Sequence, residues 1–194
     1  MPGADLFLVY IHGFNSSPLS LKARQTVDWF VQQGRGDAIA VPELSHEPAR
    51  AMEDLCEIIA NRPQPVALIG SSLGGYYATW LAERFGLRAA LVNPAVRPAE
   101  LWQSHLGLKH NFYSGRRYHI TQEHVAQLRA FEVPELTRPQ NVLLLVQTGD
   151  ETLDYRHAVD KYKSSVSIIQ PGGNHGFMNY DAMLPDIIRF LSQR

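Results

Sequence analysis

Cys56 is the only cysteine in 194 residues. One thiol cannot close an internal disulfide, and alone it cannot build a thiolate metal site. Its setting, Met52-Glu53-Asp54-Leu55-Cys56-Glu57-Ile58-Ile59, has the apolar spacing of a helix, which makes an inert core thiol the expected role. An excess of one charge is also missing, with 18 Lys and Arg against 19 Asp and Glu. No long block of one sign occurs, so neither nucleic acid nor an anionic membrane is an expected partner. No run approaches the roughly 18 consecutive apolar residues that span a bilayer. The apolar run near the N-terminus has no basic segment before it and is interrupted at His12, so a signal peptide is not expected and the cytoplasm is the expected location. There is no H-E-x-x-H, and His12, His46, His105, His110, His119, His124 and His157 show no zinc-ligand spacing with nearby acids or sulfur. Neither Gly13 nor the Gly70–Gly75 segment fits a phosphate loop or a dinucleotide fingerprint. No metal and no cofactor is therefore expected.

What is present is a globular balance, 45% hydrophobic and 19% charged, in a length suited to one compact domain over residues 1–194. Six short apolar runs read as strands: 6–11, 39–41, 66–69, 89–92, 142–146 and 166–169. Helical spacing falls between them, near 20–32, 49–61, 76–85, 155–163 and 183–191. The runs are hydrophobic on both faces, as in a parallel sheet covered on each side. The expected fold is therefore α/β, about six mostly parallel strands flanked by helices. The interval 93–141 exceeds the usual connection length and reads as a cap-like excursion above the sheet. Within it, 121–131 has helical spacing with Thr121 as a cap, and the rest is expected to be irregular.

Gly70-Ser71-Ser72-Leu73-Gly74 matches G-x-S-x-G, with an apolar strand before it and helical sequence after it. A sharp strand-to-helix turn there would lift the Ser72 hydroxyl above the sheet edge and direct helix-terminal amides toward developing negative charge. A glycine-rich connection with an ordinary capping serine is the plainer alternative. A serine hydroxyl needs a base, and His175 lies in the glycine-rich loop after the last strand. Asp150 directly follows the fifth strand, where a carboxylate can orient an imidazole. The chain order Ser72, Asp150, His175 is that of an α/β-hydrolase. Asp154 competes for the acid role, although helix capping explains it equally well, and Glu151 is also near. His12-Gly13-Phe14-Asn15 follows the first strand, which makes the Phe14 amide, with that of Leu73, the expected oxyanion donors. His12 itself reads as an organiser of that loop.

The chain resembles the YqiA/YcfP family of small bacterial esterases within the α/β-hydrolase superfamily. The resemblance rests on Tyr10-Ile11-His12-Gly13-Phe14-Asn15-Ser16-Ser17-Pro18, on Gly70-Ser71-Ser72-Leu73-Gly74-Gly75-Tyr76-Tyr77-Ala78-Thr79-Trp80, and on Val92-Asn93-Pro94-Ala95-Val96-Arg97-Pro98. Thr148-Gly149-Asp150-Glu151, Leu153-Asp154-Tyr155-Arg156 and Gly172-Gly173-Asn174-His175 extend it. It implies an intracellular esterase or thioesterase acting on small-molecule carboxylic esters, acyl-CoA among the candidates, with no obligate protein partner. It also implies the strand order 2-1-3-4-5-6. Amide or peptide cleavage by the same three residues, or a non-catalytic binding protein on the same fold, remain alternatives. For substrate selection, Trp102, Leu106, Leu108, Phe112 and Tyr113 are candidates to line an apolar acyl pocket, and equally candidates to fix the insertion to the body. Arg116, Arg117 and His119 are either a site for an acidic group such as a CoA phosphate or a solvated face.

Overall fold

The computed structural model describes residues 6–111 and 113–193. Its main sheet contains β1 (Phe7–Ile11), β2 (Ile39–Ala40), β3 (Val66–Ser71), β4 (Arg88–Val92), β7 (Val142–Gln147) and β8 (Val166–Gln170). They lie in the order β2-β1-β3-β4-β7-β8, every neighbouring pair parallel. This is the order implied by the family resemblance, counted over those six strands.

Side-chain alternation divides each central strand between two cores. Phe7, Val9, Ile11, Leu68, Leu91 and Leu144 join one cluster. Leu8, Tyr10, Ile69, Ala90 and Leu145 join the other. Helices α1 (Leu21–Gln32) and α7 (Tyr180–Leu191) close the second cluster through residues such as Phe30, Ile187 and Ile188. Helices α2 (Pro48–Ala60), α3 (Leu73–Phe85) and α6 (Tyr155–Lys161) close the first, through residues such as Leu55, Leu81 and Ala158. Burial on both faces explains why the strands read as unbroken apolar runs rather than alternating ones.

Several boundaries differ from the sequence expectation. Helix α3 starts at Leu73 rather than near Tyr76, because Gly74 and Gly75 occupy its first turn despite their poor helix propensity. Helix α7 starts at Tyr180 rather than Met183, with the Tyr180 side chain fully buried. The excursion 93–141 is more regular than expected. It contains α4 (Pro98–Gln103), an antiparallel hairpin of β5 (Gly107–His110) and β6 (Arg117–Ile120), and α5 (Gln122–Ala130). The hairpin strands carry Lys109, His110, Arg117 and His119 and lack a two-residue turn signal, so neither composition nor spacing marks them. Helix α5 begins with a reciprocal cap between Thr121 and His124.

Candidate active site

Ser72 sits between β3 and α3 with φ 55° and ψ −120°, a backbone conformation that L-residues rarely adopt. The turn is held on both sides. The Ser72 N–H donates to Val92 O at 3.1 Å, and its carbonyl accepts from the N–H groups of Gly75 at 2.9 Å and Ala95 at 3.0 Å. Close packing, rather than chain freedom alone, requires the motif glycines. A Cβ on Gly74 would stand 2.0 Å from the Ile11 carbonyl oxygen, and one on Gly70 would stand 2.3 Å from that of Gly74.

The ends of β7 and β8 deliver the other two residues. His175 Nε2 lies 3.1 Å from Ser72 Oγ, and its Nδ1 lies 2.8 Å from Asp150 Oδ2. A carboxylate only accepts, so Nδ1–H donates to Asp150 and Nε2 is left to accept the serine proton. The Asp150 side chain is 1% exposed and that of His175 24%. Asp150 also accepts from the N–H groups of Thr152 at 2.9 Å and Leu153 at 2.8 Å. Burial alone would raise its carboxyl, but the hydrogen bonds from His175, Leu153 and Thr152 together hold it below the ordinary carboxylate value. Asp154 does not face the imidazole. It caps α6 by accepting from Arg156 N at 3.0 Å and pairs with the Arg156 guanidinium at 2.6 Å. Those hydrogen bonds hold its carboxyl at about 2. Glu151 accepts from the backbone N–H of His175 at 2.9 Å, steadying the loop without touching the ring.

Two buried amides hold the His175 loop. Asn93, with φ 42°, donates through Nδ2 to the carbonyls of Asn174 at 3.0 Å and His175 at 3.1 Å, and accepts from Gln147 N at 3.0 Å. Gln147 accepts through Oε1 from Asn174 N at 3.1 Å and Met178 N at 2.8 Å. In the sequence Asn93 stands only as one residue of the Val92–Pro98 segment, and no motif there gives Gln147 a role. An amide at the tip of an otherwise apolar strand was the available signal.

The His12–Asn15 loop runs against the serine, where a Cβ on Gly13 would come 3.1 Å from Ser72 Cβ. His12 is 4% exposed. It donates from Nδ1 to Gly13 O at 3.0 Å and accepts at Nε2 from Leu44 N at 3.3 Å. Burial lowers its pKa, in keeping with a neutral ring that organises the loop. Leu73 opens α3, so its N–H has no carbonyl one turn back within the helix.

The substrate-pocket candidates scatter. Trp102 packs on Phe14 with ring centroids 4.8 Å apart. It lines a cavity of about 40 Å³ with Phe14, Leu73 and Tyr77, which is closer to a water than to an acyl chain. Leu106 and Leu108 are exposed and are not among the residues lining the cleft at Ser72. Phe112 lies outside the described residues. Tyr113, at the hairpin turn, does line that cleft, whose volume is about 250 Å³. Arg116 and Arg117 line a different groove with Glu43 and Asp54. The tertiary structure also joins His46 and Glu47 to His124, with one candidate ligand atom from each within 4.8 Å of the others. Histidine spacing along the chain gave no sign of that group, and His124 Nδ1 is already engaged by Thr121 N.

A family model described as "Uncharacterised protein family (UPF0227)" matches residues 7–192. Among solved structures, a protein from Agrobacterium vitis S4 is similar, with a TM-score of 0.76 and 18% identity, over 99% of this chain and 90% of that one. The alpha/beta hydrolase domain-containing protein 10 from mouse has a TM-score of 0.73 and 15% identity, over 97% of this chain and 91% of that one. An esterase domain of a Rhodothermus marinus protein has a TM-score of 0.60 and 21% identity, over 96% of this chain and 82% of that one. At such identities the likeness establishes the fold. No helix among the described residues is long and apolar enough to cross a membrane.

Proposed function

The chain belongs to the uncharacterised protein family UPF0227 and has an α/β-hydrolase fold, and from that premise we propose that it is a serine esterase acting through an acyl-Ser72 intermediate. The observation that carries this reading is the hydrogen-bonded line Ser72 Oγ, His175 Nε2, His175 Nδ1, Asp150, ending in a buried carboxylate. An esterase among the similar folds supports the reaction class. The domain spans residues 1–194, with 93–141 as its cap. Tyr113 at the cleft and the hydrogen bonds Asn111 Nδ2 to Ser16 O and Tyr118 OH to Asn15 support that view of the segment.

His175 Nε2 removes the hydroxyl proton as Ser72 Oγ bonds to the ester carbonyl carbon. Asp150 keeps Nδ1–H in place and stabilises the imidazolium that forms. The carbonyl oxygen becomes an oxyanion held by the Phe14 and Leu73 amides, each worth on the order of 3 kcal/mol to the transition state. Collapse breaks the bond to the alcohol or thiol, which leaves with the proton from Nε2. A water then gives its proton to Nε2 and attacks the acyl carbon, releasing the carboxylic acid and returning the proton to Ser72. The chemistry uses only side chains and backbone amides of this chain.

The test is a panel of short- and long-chain esters, acyl-CoA thioesters and small amides, with intact-mass detection of an adduct from a serine-directed phosphonate. Turnover of esters with one adduct, lost in Ser72→Ala, is expected. Folded protein with no ester turnover and no adduct would overturn the reading, whereas turnover of amides alone would keep the acyl-serine and change the substrate class.

A further inference from the structure

The cleft at Ser72 is lined by apolar groups, Phe14 and Leu21 among them, and also by polar ones beside α1. Ser16, Ser20, Lys22 and Tyr113 line it together with Ser72 and His175, and no carboxylate is among the described residues lining it. Lys22 stands in the first turn of α1 and reaches across to the loop that carries the base. Its Nζ donates to the carbonyl oxygen of Gly176 at 2.8 Å. An ammonium has three N–H donors, and that bond uses one. Among the described residues no carboxylate forms an ion pair with Lys22, and the nearby Asp150 charge is engaged by His175, Thr152 and Leu153. A half-buried ammonium with two donors to spare can make charge-assisted hydrogen bonds to an anion entering the cleft.

We propose that Lys22 is a specificity-determining residue, its ammonium receiving an anionic substituent, carboxylate or phosphate, on the ester that Ser72 attacks. The inference rests on the serine esterase reading above and narrows it to substrates carrying negative charge close to the scissile bond. A purely structural Lys22, clamping Gly176 and through it the His175 loop, would affect neutral and anionic esters alike. Recognition affects them differently.

The experiment compares kcat/KM for matched neutral and anionic esters. One arm puts the charge on the acyl group, mono-4-nitrophenyl succinate against 4-nitrophenyl butyrate. A second puts a carboxylate on the leaving group, 3-carboxyphenyl acetate against phenyl acetate, and a third replaces that carboxylate with a phosphate. Within at least one arm, Lys22→Met is expected to lower the anionic-to-neutral ratio about tenfold, the scale of one charge-assisted hydrogen bond. Lys22→Arg is expected to keep most of the ratio. The responding arm identifies the side of the ester and the kind of anion. A ratio unchanged in every arm overturns the inference while neutral-ester turnover leaves the esterase reading standing. No turnover of any ester and no adduct at Ser72 removes both. Should Lys22→Met fail to fold, competition by free succinate and by phenyl phosphate against neutral-ester hydrolysis in the unaltered protein decides the matter. Inhibition by either is expected, and inhibition by neither overturns the inference.

Discussion

Replacing Asn93 with alanine would remove the side chain that ties the end of β4 to the loop bearing His175. The carbonyls of Asn174 and His175 would lose their donor, and the N–H of Gln147 its acceptor, at a residue 2% exposed. Each lost hydrogen bond of this kind costs about 0.5–1.5 kcal/mol net, and a left-handed conformation suits alanine worse than asparagine by roughly 1 kcal/mol. With φ at 42° here, the sum over three bonds is about 2.5–5.5 kcal/mol. A domain of this size has on the order of 5–15 kcal/mol of stability, so the variant should still fold. At roughly 2–4 °C per kcal/mol, its melting temperature should drop by about 5–22 °C. The His175 carbonyl would lose an anchor, and displacement of the ring by about 1 Å costs on the order of 10²-fold in rate. Asn93→Gly separates the two effects, because glycine relieves the positive φ but restores none of the hydrogen bonds. It should recover part of the stability and none of the rate. Thermal melts, kcat on a neutral ester and the rate of phosphonate labelling at Ser72 provide the readouts. Asn93→Ala with wild-type melting and wild-type labelling would refute the claim that this amide positions the base.

Asp150→Asn should reduce kcat by about 10³–10⁴-fold with KM little changed, because an amide no longer fixes the tautomer or stabilises the imidazolium. Asp154→Asn should leave kcat intact and only weaken the start of α6, and an equal loss of rate in both variants would contradict the geometry. Asp150 binds its proton more weakly folded than unfolded, so its stabilisation is full above the ordinary carboxyl value of 3.8 and is lost as pH falls through the lower native value. Acid unfolding should therefore show the wild type and Asp150→Asn converging in stability below that range. Burial holds Lys22 at about 8 against the opposing pull of the Asp150 charge, and the ammonium loses its proton above that value. The anionic-to-neutral ester ratio should thus fall as pH rises through about 8. Gly74→Ala would place a methyl 2.0 Å from Ile11 O, so α3 must move off β1. Loss of activity with a lowered melt is expected, and near-normal kcat would show that the contact yields.

The sequence by itself determined the α/β class, the six parallel strands and the chain order of Ser72, Asp150 and His175. The reason is local, since strands buried on both faces must be continuously apolar, as in Phe7–Ile11 and Val142–Val146, and a tight strand-to-helix turn needs small residues at Gly70 and Gly74. Only the tertiary structure decided which aspartate meets the imidazole. Asp150 and Asp154 are four positions apart in similar turn sequence, and the choice depends on where β8 returns its loop. It also decided that Asn93 and Gln147 brace that loop, since one buried amide looks like any other until its partners, 23 and more residues away, are in place. The hairpin at 107–120 was illegible for the opposite reason: its strands are half-exposed and polar, and their pairing is set by contacts such as Tyr118 with Asn15 rather than by periodicity. Lys22 shows the same division, a helix-face lysine in the sequence, turned toward the Ser72 cleft by the packing of α1 beside the His175 loop.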